Sequence, residues 1–375
     1  MTSLICPHQP SCPGCPRLAE PGLPAGPLAR LQALAARVGL PPPLLHESPP
    51  TAFRRRARLA IRGRADAPKL GIFEAGSHRA VHIPRCLVHH PVINRVAATV
   101  RDALACHRIP TYSDNAHAGV ARYLQVVVER LTDRAQVTLV TNGSAPNDLG
   151  PLFGDLQTSL GEALHSLWWN GNPERTNAIL GAHWQHLAGP PHVEDLSGAA
   201  RIFYPPDAFG QSNLDLAMQL AARVRDLVRP GARVVEYYAG VGAIGLGLAA
   251  PAAELHLNEL GEGSLTGLQR GVEALPEALS SKVTLHAGAA GAHAALVAHA
   301  DFVVADPPRK GLDPELHAAL TQTPPERFVY VSCDIDSFER DAAELLAPLR
   351  LVALDAFDLF PHTEHLETLA VFARR

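Results

Sequence analysis

Apolar positions follow two different rhythms along this 375-residue chain, and the change near residue 196 is the first guide to its architecture. Beyond that point, short apolar runs alternate regularly with amphipathic stretches. The pattern predicts a helix over 214–228, a strand over 233–237, a helix over 242–250 and a strand over 254–257. A helix near 264–274 follows, then strands over 282–286, 301–305 and 327–332. A helix over 335–346 stops before Pro348, and strands over 351–357 and 369–372 complete the chain. Alternating βα units of this length imply an α/β fold with a mainly parallel sheet covered by helices. The last two strands lie close together in sequence and predict an antiparallel pair at one edge.

Upstream the pattern is mixed. Between 51 and 195, β-rich runs at 59–61, 81–83, 123–129 and 136–141 alternate with helical ones at 92–106 and 152–167, which fits an α+β domain. Residues 17–50 are rich in Pro, Ala and Leu. One amphipathic helix over 28–38, followed by Pro41-Pro42-Pro43, reads as a connector. Three regions result: 1–50, 51–195 and 196–375.

Composition narrows the class. At 47% apolar, the chain can build two real cores. It has no run of about 18 apolar residues and no signal-peptide layout, so a cytoplasmic protein without a membrane partner is expected, as a monomer. A net charge of -4 argues against indiscriminate nucleic-acid binding. One local patch stands out: Arg54 to Arg64 holds six arginines in eleven residues, which could grip phosphates or form a solvated face. Six cysteines in a reducing compartment point to ligands or catalysts rather than disulfides.

The chemistry concentrates at strand ends of the regular half. Glu236-Tyr237-Tyr238-Ala239-Gly240-Val241-Gly242-Ala243 follows the first strand, and its glycines let backbone approach a ligand closely. The next strand ends in Asn258-Glu259, where an acid can accept hydrogen bonds from ribose hydroxyls. Nothing marks a pyrophosphate site, which favours S-adenosylmethionine over NAD. Asp306-Pro307-Pro308-Arg309 forms a rigid loop after another strand, at the sheet edge where ligands bind. Cys333 stands at a strand end just before a helix, a place that favours thiolate, and Glu367 is its candidate carboxylate base. Cys6, Cys12, Cys15 and the remote Cys86 could hold zinc or an iron–sulfur cluster; Cys106 sits on an apolar helix and reads as core.

These motifs, in this order, resemble the 5-methyluridine RNA methyltransferases, the group of the bacterial tRNA uracil-54 enzyme and its 23S ribosomal RNA relatives. The resemblance covers nearly the whole chain: Phe53 to Arg62, Gly76-Ser77-His78 with Cys86, Phe209-Gly210-Gln211-Ser212-Asn213, the glycine loop, Asp306 to Arg309, Ser332-Cys333 and His365-Leu366-Glu367. It implies a Rossmann-like class I methyltransferase domain with a mainly parallel seven-stranded sheet. An α+β RNA-binding domain with an iron–sulfur segment would precede it. It implies Gln211, Tyr238, Glu259 and Asp306 as S-adenosylmethionine contacts, Cys333 as nucleophile and Glu367 as base. Cys6, Cys12, Cys15 and Cys86 resemble the ligands of a 4Fe-4S cluster in the ribosomal RNA branch. That tilts the expected substrate toward 23S rRNA, in a short form without the N-terminal β-barrel module. Uridine 54 of tRNA, or a catalytically weak RNA-binding assembly role, are the alternatives. The family usually has Asn-Pro where this chain has Asp334-Ile335, and a carboxylate beside the thiol disfavours thiolate unless it points away. Ala243 and Ile244 also replace more polar residues common in the glycine loop.

Overall fold

The computed structural model describes residues 4–20 and 22–375, the side chain at 147 excepted. In chain order the elements begin with α1 (Ala25–Arg37), β1 (Leu44–His46), β2 (Arg56–Arg64), β3 (Ala67–Phe73), β4 (Ala80–His82), α2 (Pro91–Cys106), β5 (Ala121–Val128) and β6 (Ala135–Thr141). Next come α3 (Gly150–Leu160), β7 (Leu164–Gly171), β8 (His183–Ala188), β9 (Val193–Ser197), β10 (Ala200–Tyr204), α4 (Leu214–Asp226), β11 (Arg233–Tyr237) and β12 (Glu254–Glu259). The last are α5 (Glu262–Glu273), α6 (Glu277–Ser280), β13 (Val283–Ala287), β14 (Phe302–Ala305), α7 (Pro314–Gln322), β15 (Arg327–Ser332), α8 (Ile335–Leu345), β16 (Leu349–Phe357) and β17 (Glu367–Arg374). None of the described helices is long and apolar enough to cross a membrane.

The chain forms two compact units. The first takes in residues 4–19, Pro49–Glu194 and Gln211–Leu214; the second comprises Glu20–Ser48, Asp195–Gly210 and Asp215–Arg375.

In the second unit an eight-stranded sheet runs β1-β16-β17-β15-β14-β11-β12-β13. Its centre is parallel, and all four residues of β14 are buried, as expected of a strand covered on both faces. β17 runs antiparallel between β15 and β16, the edge arrangement that the short final spacing predicts. The count corrects the expected seven. The eighth strand, β1, comes from the segment read as a connector and pairs parallel with β16, Leu44 opposite Asp355. Three residues are too few to show a period, so pairing with β16 decides their conformation. His46 fixes the join: its Nε2 lies 2.8 Å from Asp355 Oδ1, and its ring stacks on Phe357 at 4.0 Å.

The expected helix over 242–250 is also corrected. Only one tight turn forms there, the 3-10 segment Gly245–Leu248. Gly240, Gly242, Gly245 and Gly247 give this stretch poor helix propensity. Close packing then takes over: a Cβ on Gly245 would lie 1.9 Å from Glu236 Oε2.

The first unit is built on a seven-stranded sheet, β4-β3-β2-β5-β6-β7-β8, antiparallel except for β6 with β7. Ile93, Val96 and Val100 of α2 and Leu152 and Leu156 of α3 pack on one face of it, over Leu124, Val126, Val137, Leu139 and Trp169. The helix expected over 152–167 ends earlier, at Leu160. Gly161 takes a φ of 49° there, and Leu164 onward joins the sheet as β7.

Candidate active site

Three strands bring the thiol and two carboxyl groups together. β15 lies parallel to β14 with Tyr330 opposite Ala305, and antiparallel to β17 with Ser332 opposite Thr368. One residue further along that register, Cys333 comes opposite Glu367, while Asp306 is the first residue beyond β14. The regular ladder of a rigid sheet therefore sets their spacing.

The surroundings are dry and short of partners. Glu367 is 0% exposed, and neither carboxyl oxygen has a hydrogen-bond partner among the described residues. Burial, and then the neighbouring Asp306, hold its pKa well above the usual carboxylate range. Burial also pushes Asp306 up to about 7. The half-buried Cys333 thiol rises to about 11 through burial first, then Glu367 and Asp306; Arg309 and the residue's own backbone amide pull the other way. These surroundings hold the thiol protonated at neutral pH. Arg309 is anchored beside the thiol, its guanidinium 3.2 Å from His365 Nε2.

Asp334 does point away. It is the N-cap of α8, and its Oδ1 accepts the Ser337 backbone N–H at 2.9 Å. The carboxylate is engaged by the helix's first turn, where negative charge is favoured. Asp334→Ala should lower stability by about 1 kcal/mol, and Asp334→Asn, which caps equally well, by far less. Denaturant unfolding of both variants checks this; equal losses would remove the cap from the account.

The glycine loop has its own lock. Glu259, at the end of β12, accepts the Gly240 N–H at 2.8 Å and the Gly261 N–H at 2.6 Å. Gly242 has a φ of 82°, and a Cβ there would meet the Leu246 and Leu268 side chains at 2.6–2.7 Å, so only glycine fits. Tyr238, despite its side chain, sits at a φ of 60°, and its hydroxyl accepts the Asp313 N–H at 3.0 Å. Such backbone strain persists where surrounding contacts over-determine it, as they do at functional loops.

Of the residues singled out from sequence, Cys333, Glu367 and Asp306 gather at one sheet edge, and Tyr238 and Glu259 build the neighbouring loop. Gln211 lies half-buried in the short 211–214 stretch of the first unit. Two groups entered the sequence reading only inside longer motifs, with no role of their own. Glu236, inside β11, is 1% exposed, and its carboxyl is held well above the usual range by burial, Asp306 and Glu259. A lone acid within an apolar strand was the available signal. Arg309 was visible only as part of a loop motif.

The arginine run proves largely internal to the first unit. Arg62 pairs with Asp114 at 2.7 Å and lies over the Phe73, Tyr112 and Tyr123 rings. Arg55 bonds Asp133, Arg64 bonds Asp66 and Arg58 bonds Gln125. Most of the run therefore braces the sheet instead of presenting a continuous phosphate grip.

Cys6, Cys12, Cys15 and Cys86 do converge within the first unit, since the other three thiols each help burial push Cys15 up to about 11. Cys12 and Cys86 also pack against its core. Yet among the described residues no three His, Cys, Asp or Glu side chains form a group that could hold a metal ion. The expected metal centre is therefore not shown: the four cysteines share one unit, but no closed ligand set stands among the described residues.

Comparison with known proteins adds a lineage to this geometry. Residues 296–375 match the family model described as tRNA (Uracil-5-)-methyltransferase. The whole chain is 36% identical to an uncharacterized RNA methyltransferase of Protochlamydia amoebophila, covering 99% of this chain and 98% of that one. A second, from Geobacter sulfurreducens, is 30% identical over 86% of this chain and 66% of its own length. The fold matches that of Pyrococcus abyssi tRNA (uracil-54, C5)-methyltransferase, solved with S-adenosyl-L-homocysteine: TM-score 0.79, 24% identity, 97% of this chain and 86% of that one.

Proposed function

Because the chain belongs to the RNA methyltransferase family and its C-terminal part matches the uracil-5-methyltransferase model, we propose that it methylates carbon 5 of a uridine in 23S rRNA, with S-adenosylmethionine as donor. The observation that carries this reading is the β15–β17 register, which sets a thiol opposite an unpartnered carboxyl group.

Uracil carbon 5 is a poor nucleophile. Addition of the Cys333 thiolate to carbon 6 forms an S–C bond and gives an enolate, whose carbon 5 attacks the donor methyl as the sulfonium bond breaks. Glu367 then takes the carbon 5 proton, the carbon 5–carbon 6 double bond re-forms, and Cys333 leaves as thiolate. A base in this role needs free lone pairs and a proton affinity above that of an ordinary carboxylate, and burial without partners favours both. The thiol needs positive charge nearby to ionise. Arg309 provides part of it, and the sulfonium of a bound donor would add to it. Tyr238, Glu259 and Asp306 are the proposed donor contacts, and Gln211 carries the same assignment from the resemblance. The target base must leave its stack to reach Cys333, at roughly a few kcal/mol, least in a loop.

Cys6, Cys12, Cys15 and Cys86 would hold a 4Fe-4S cluster, supported by their mutual proximity in the first unit. Such a cluster would clasp the N-terminal segment to Cys86, and the methyl transfer above needs no electrons from it. Anaerobically purified protein should be brown, with iron and acid-labile sulfide in equal amounts, and Cys86→Ser should be colourless. Stoichiometric zinc in a colourless wild type would reject the cluster.

The cysteine set favours a ribosomal over a transfer RNA target. Mapping 5-methyluridine in 23S rRNA and tRNA from a deletion strain tests this directly. Loss of one site in 23S rRNA is expected, loss confined to tRNA would move the substrate, and no loss in either RNA would sink the proposed reaction.

A further inference from the structure

Helix α8 starts just after Cys333 and, in its second turn, closes a two-residue clasp on the loop that follows β14. Asp341 is 6% exposed, and its Oδ2 accepts the Leu312 backbone N–H at 3.0 Å and the Tyr330 hydroxyl at 2.7 Å. Its Oδ1 accepts Arg340 Nε at 3.0 Å, and Arg340 Nη2 donates to the Lys310 carbonyl at 2.7 Å. Between these contacts Gly311 takes a φ of 85°. A Cβ there would lie 2.4 Å from Asp341 Oδ2, so the loop backbone rests directly on the carboxylate. The three loop residues held in this way are the three that follow Arg309.

Tyr330 belongs to β15, the strand that leads into Cys333. One buried carboxylate therefore bridges the thiol's strand and the arginine's loop. Stability is a weak reason for it, since apolar packing can hold a core as well as a buried ion pair does. A carboxylate can do what apolar packing cannot: it fixes donors from two elements at set distances from each other. What those elements carry is opposed in charge to the rest of the site. Burial, Glu367 of β17 and Asp306 of the loop work against ionisation of the thiol, and Arg309 works for it. His365 meets Arg309 at 3.2 Å, and the Asp334 carboxylate is turned to the start of α8. Arg309 is exposed, so its place beside the thiol depends on His365 and on the backbone that carries it.

We propose that Asp341 is a positioning residue for the thiol: by tying the loop after β14 to β15, it holds the Arg309 guanidinium where its charge favours the Cys333 thiolate. Arg340 is the second half of the clasp. The inference rests on the reading of Cys333 as the nucleophile. A charge that must act on a neighbouring sulfur is effective only at a fixed short distance, and a rigid buried support supplies that better than a solvated loop does.

Two small alkylating agents, neutral iodoacetamide and negatively charged iodoacetate, read the charge beside the thiol in the free full-length protein. Their rates at Cys333 are followed at pH 8 by mass spectrometry of its peptide. Burial and ionisation of the thiol act on both reagents alike, so the ratio of rates isolates the local charge. Arg309→Ala should lower the iodoacetate-to-iodoacetamide ratio about 3- to 10-fold, as expected for losing one nearby cation at a half-buried site. Asp341→Ala should lower it by a similar factor and add nothing in the Arg309→Ala background. Asp341→Asn should largely restore it, because an amide oxygen still accepts from Leu312 and Tyr330. A merely structural carboxylate would loosen the fold, lower the thermal midpoint and speed both reagents equally. An unchanged ratio in folded Asp341→Ala would overturn the proposal, and so would a fall that persists without Arg309. If Asp341→Ala does not fold, Arg340→Ala decides the matter, since that side chain is 59% exposed. Its ratio should fall about 2-fold, and only when Arg309 is present; no fall overturns the clasp. Neither RNA nor methyl donor takes part, so a negative result here leaves the assigned reaction standing, and adduct formation with 5-fluorouridine RNA tests that reaction separately.

Discussion

Alanine at Cys333 should lower methyl transfer by about 10⁴-fold or more, because without the thiol carbon 5 has no route to becoming a nucleophile. The sharper measurement is covalent. RNA carrying 5-fluorouridine, incubated with wild-type protein and methyl donor, should yield an adduct that survives denaturation, since fluorine at carbon 5 cannot leave as a proton. The Cys333→Ala protein should yield none. An adduct that persists in the variant would place the nucleophile elsewhere. The raised thiol adds a pH signature. Alkylation of Cys333 in the free protein should be slow at pH 7 and accelerate toward pH 11, following its pKa of about 11. S-adenosylmethionine, whose sulfonium is positive, should speed it at pH 7, whereas S-adenosylhomocysteine should not.

Glutamine at Glu367 should act later in the reaction and in the opposite sense on stability. Methyl transfer still proceeds, but the carbon 5 proton has no acceptor. Turnover should fall about 10²- to 10⁴-fold and a methylated covalent adduct should accumulate with ordinary RNA. Rapid release of product by this variant would show that another group is the base. The stability effect follows from the buried carboxyl group. Its pKa is raised in the folded protein, so above the unfolded value of 4.5 the unfolded chain gains by ionising while the folded one resists. Folded-state stability therefore falls as pH rises past 4.5. Glutamine has no such penalty, so the gain in thermal midpoint of Glu367→Gln over wild type should widen from pH 5 to pH 8. A gap that does not change with pH would mean that the carboxyl is solvated or paired after all. Stability sacrificed at a reacting group is a familiar cost of function.

The sequence was most informative where one physical signal dominated. Runs such as Phe302-Val303-Val304-Ala305 and Phe328-Val329-Tyr330-Val331 are long enough, apolar enough and well enough bounded to be strands in any context, and β14 and β15 lie where they indicate. It was least informative where tertiary contact decides. β1 is three residues that acquire a conformation by pairing with β16, and the glycine loop forgoes a helix so that Gly245 can pack against Glu236. Cys333 and Glu367 could be named from their positions at strand ends, but nothing local shows that their strands are adjacent and antiparallel; that is a property of the sheet order. Asp334 shows the reverse limit. Its charge is legible, but whether it faces the thiol or the helix depends on a side-chain direction that only the α8 cap reveals.

The β1 strand also bears on how the protein is made. His46 and its partner Asp355 are 309 residues apart, so β1 leaves the ribosome long before the strand that it adjoins. Closing a loop of that length is entropically expensive, and until it closes the unpaired edge of β16 is a template for wrong partners. The sheet that carries Cys333 can therefore be completed only after β16 and β17 have been synthesised. A fragment starting at Asp195 would leave β16 bare and Asp355 without its histidine, and should accumulate in inclusion bodies where the full chain does not.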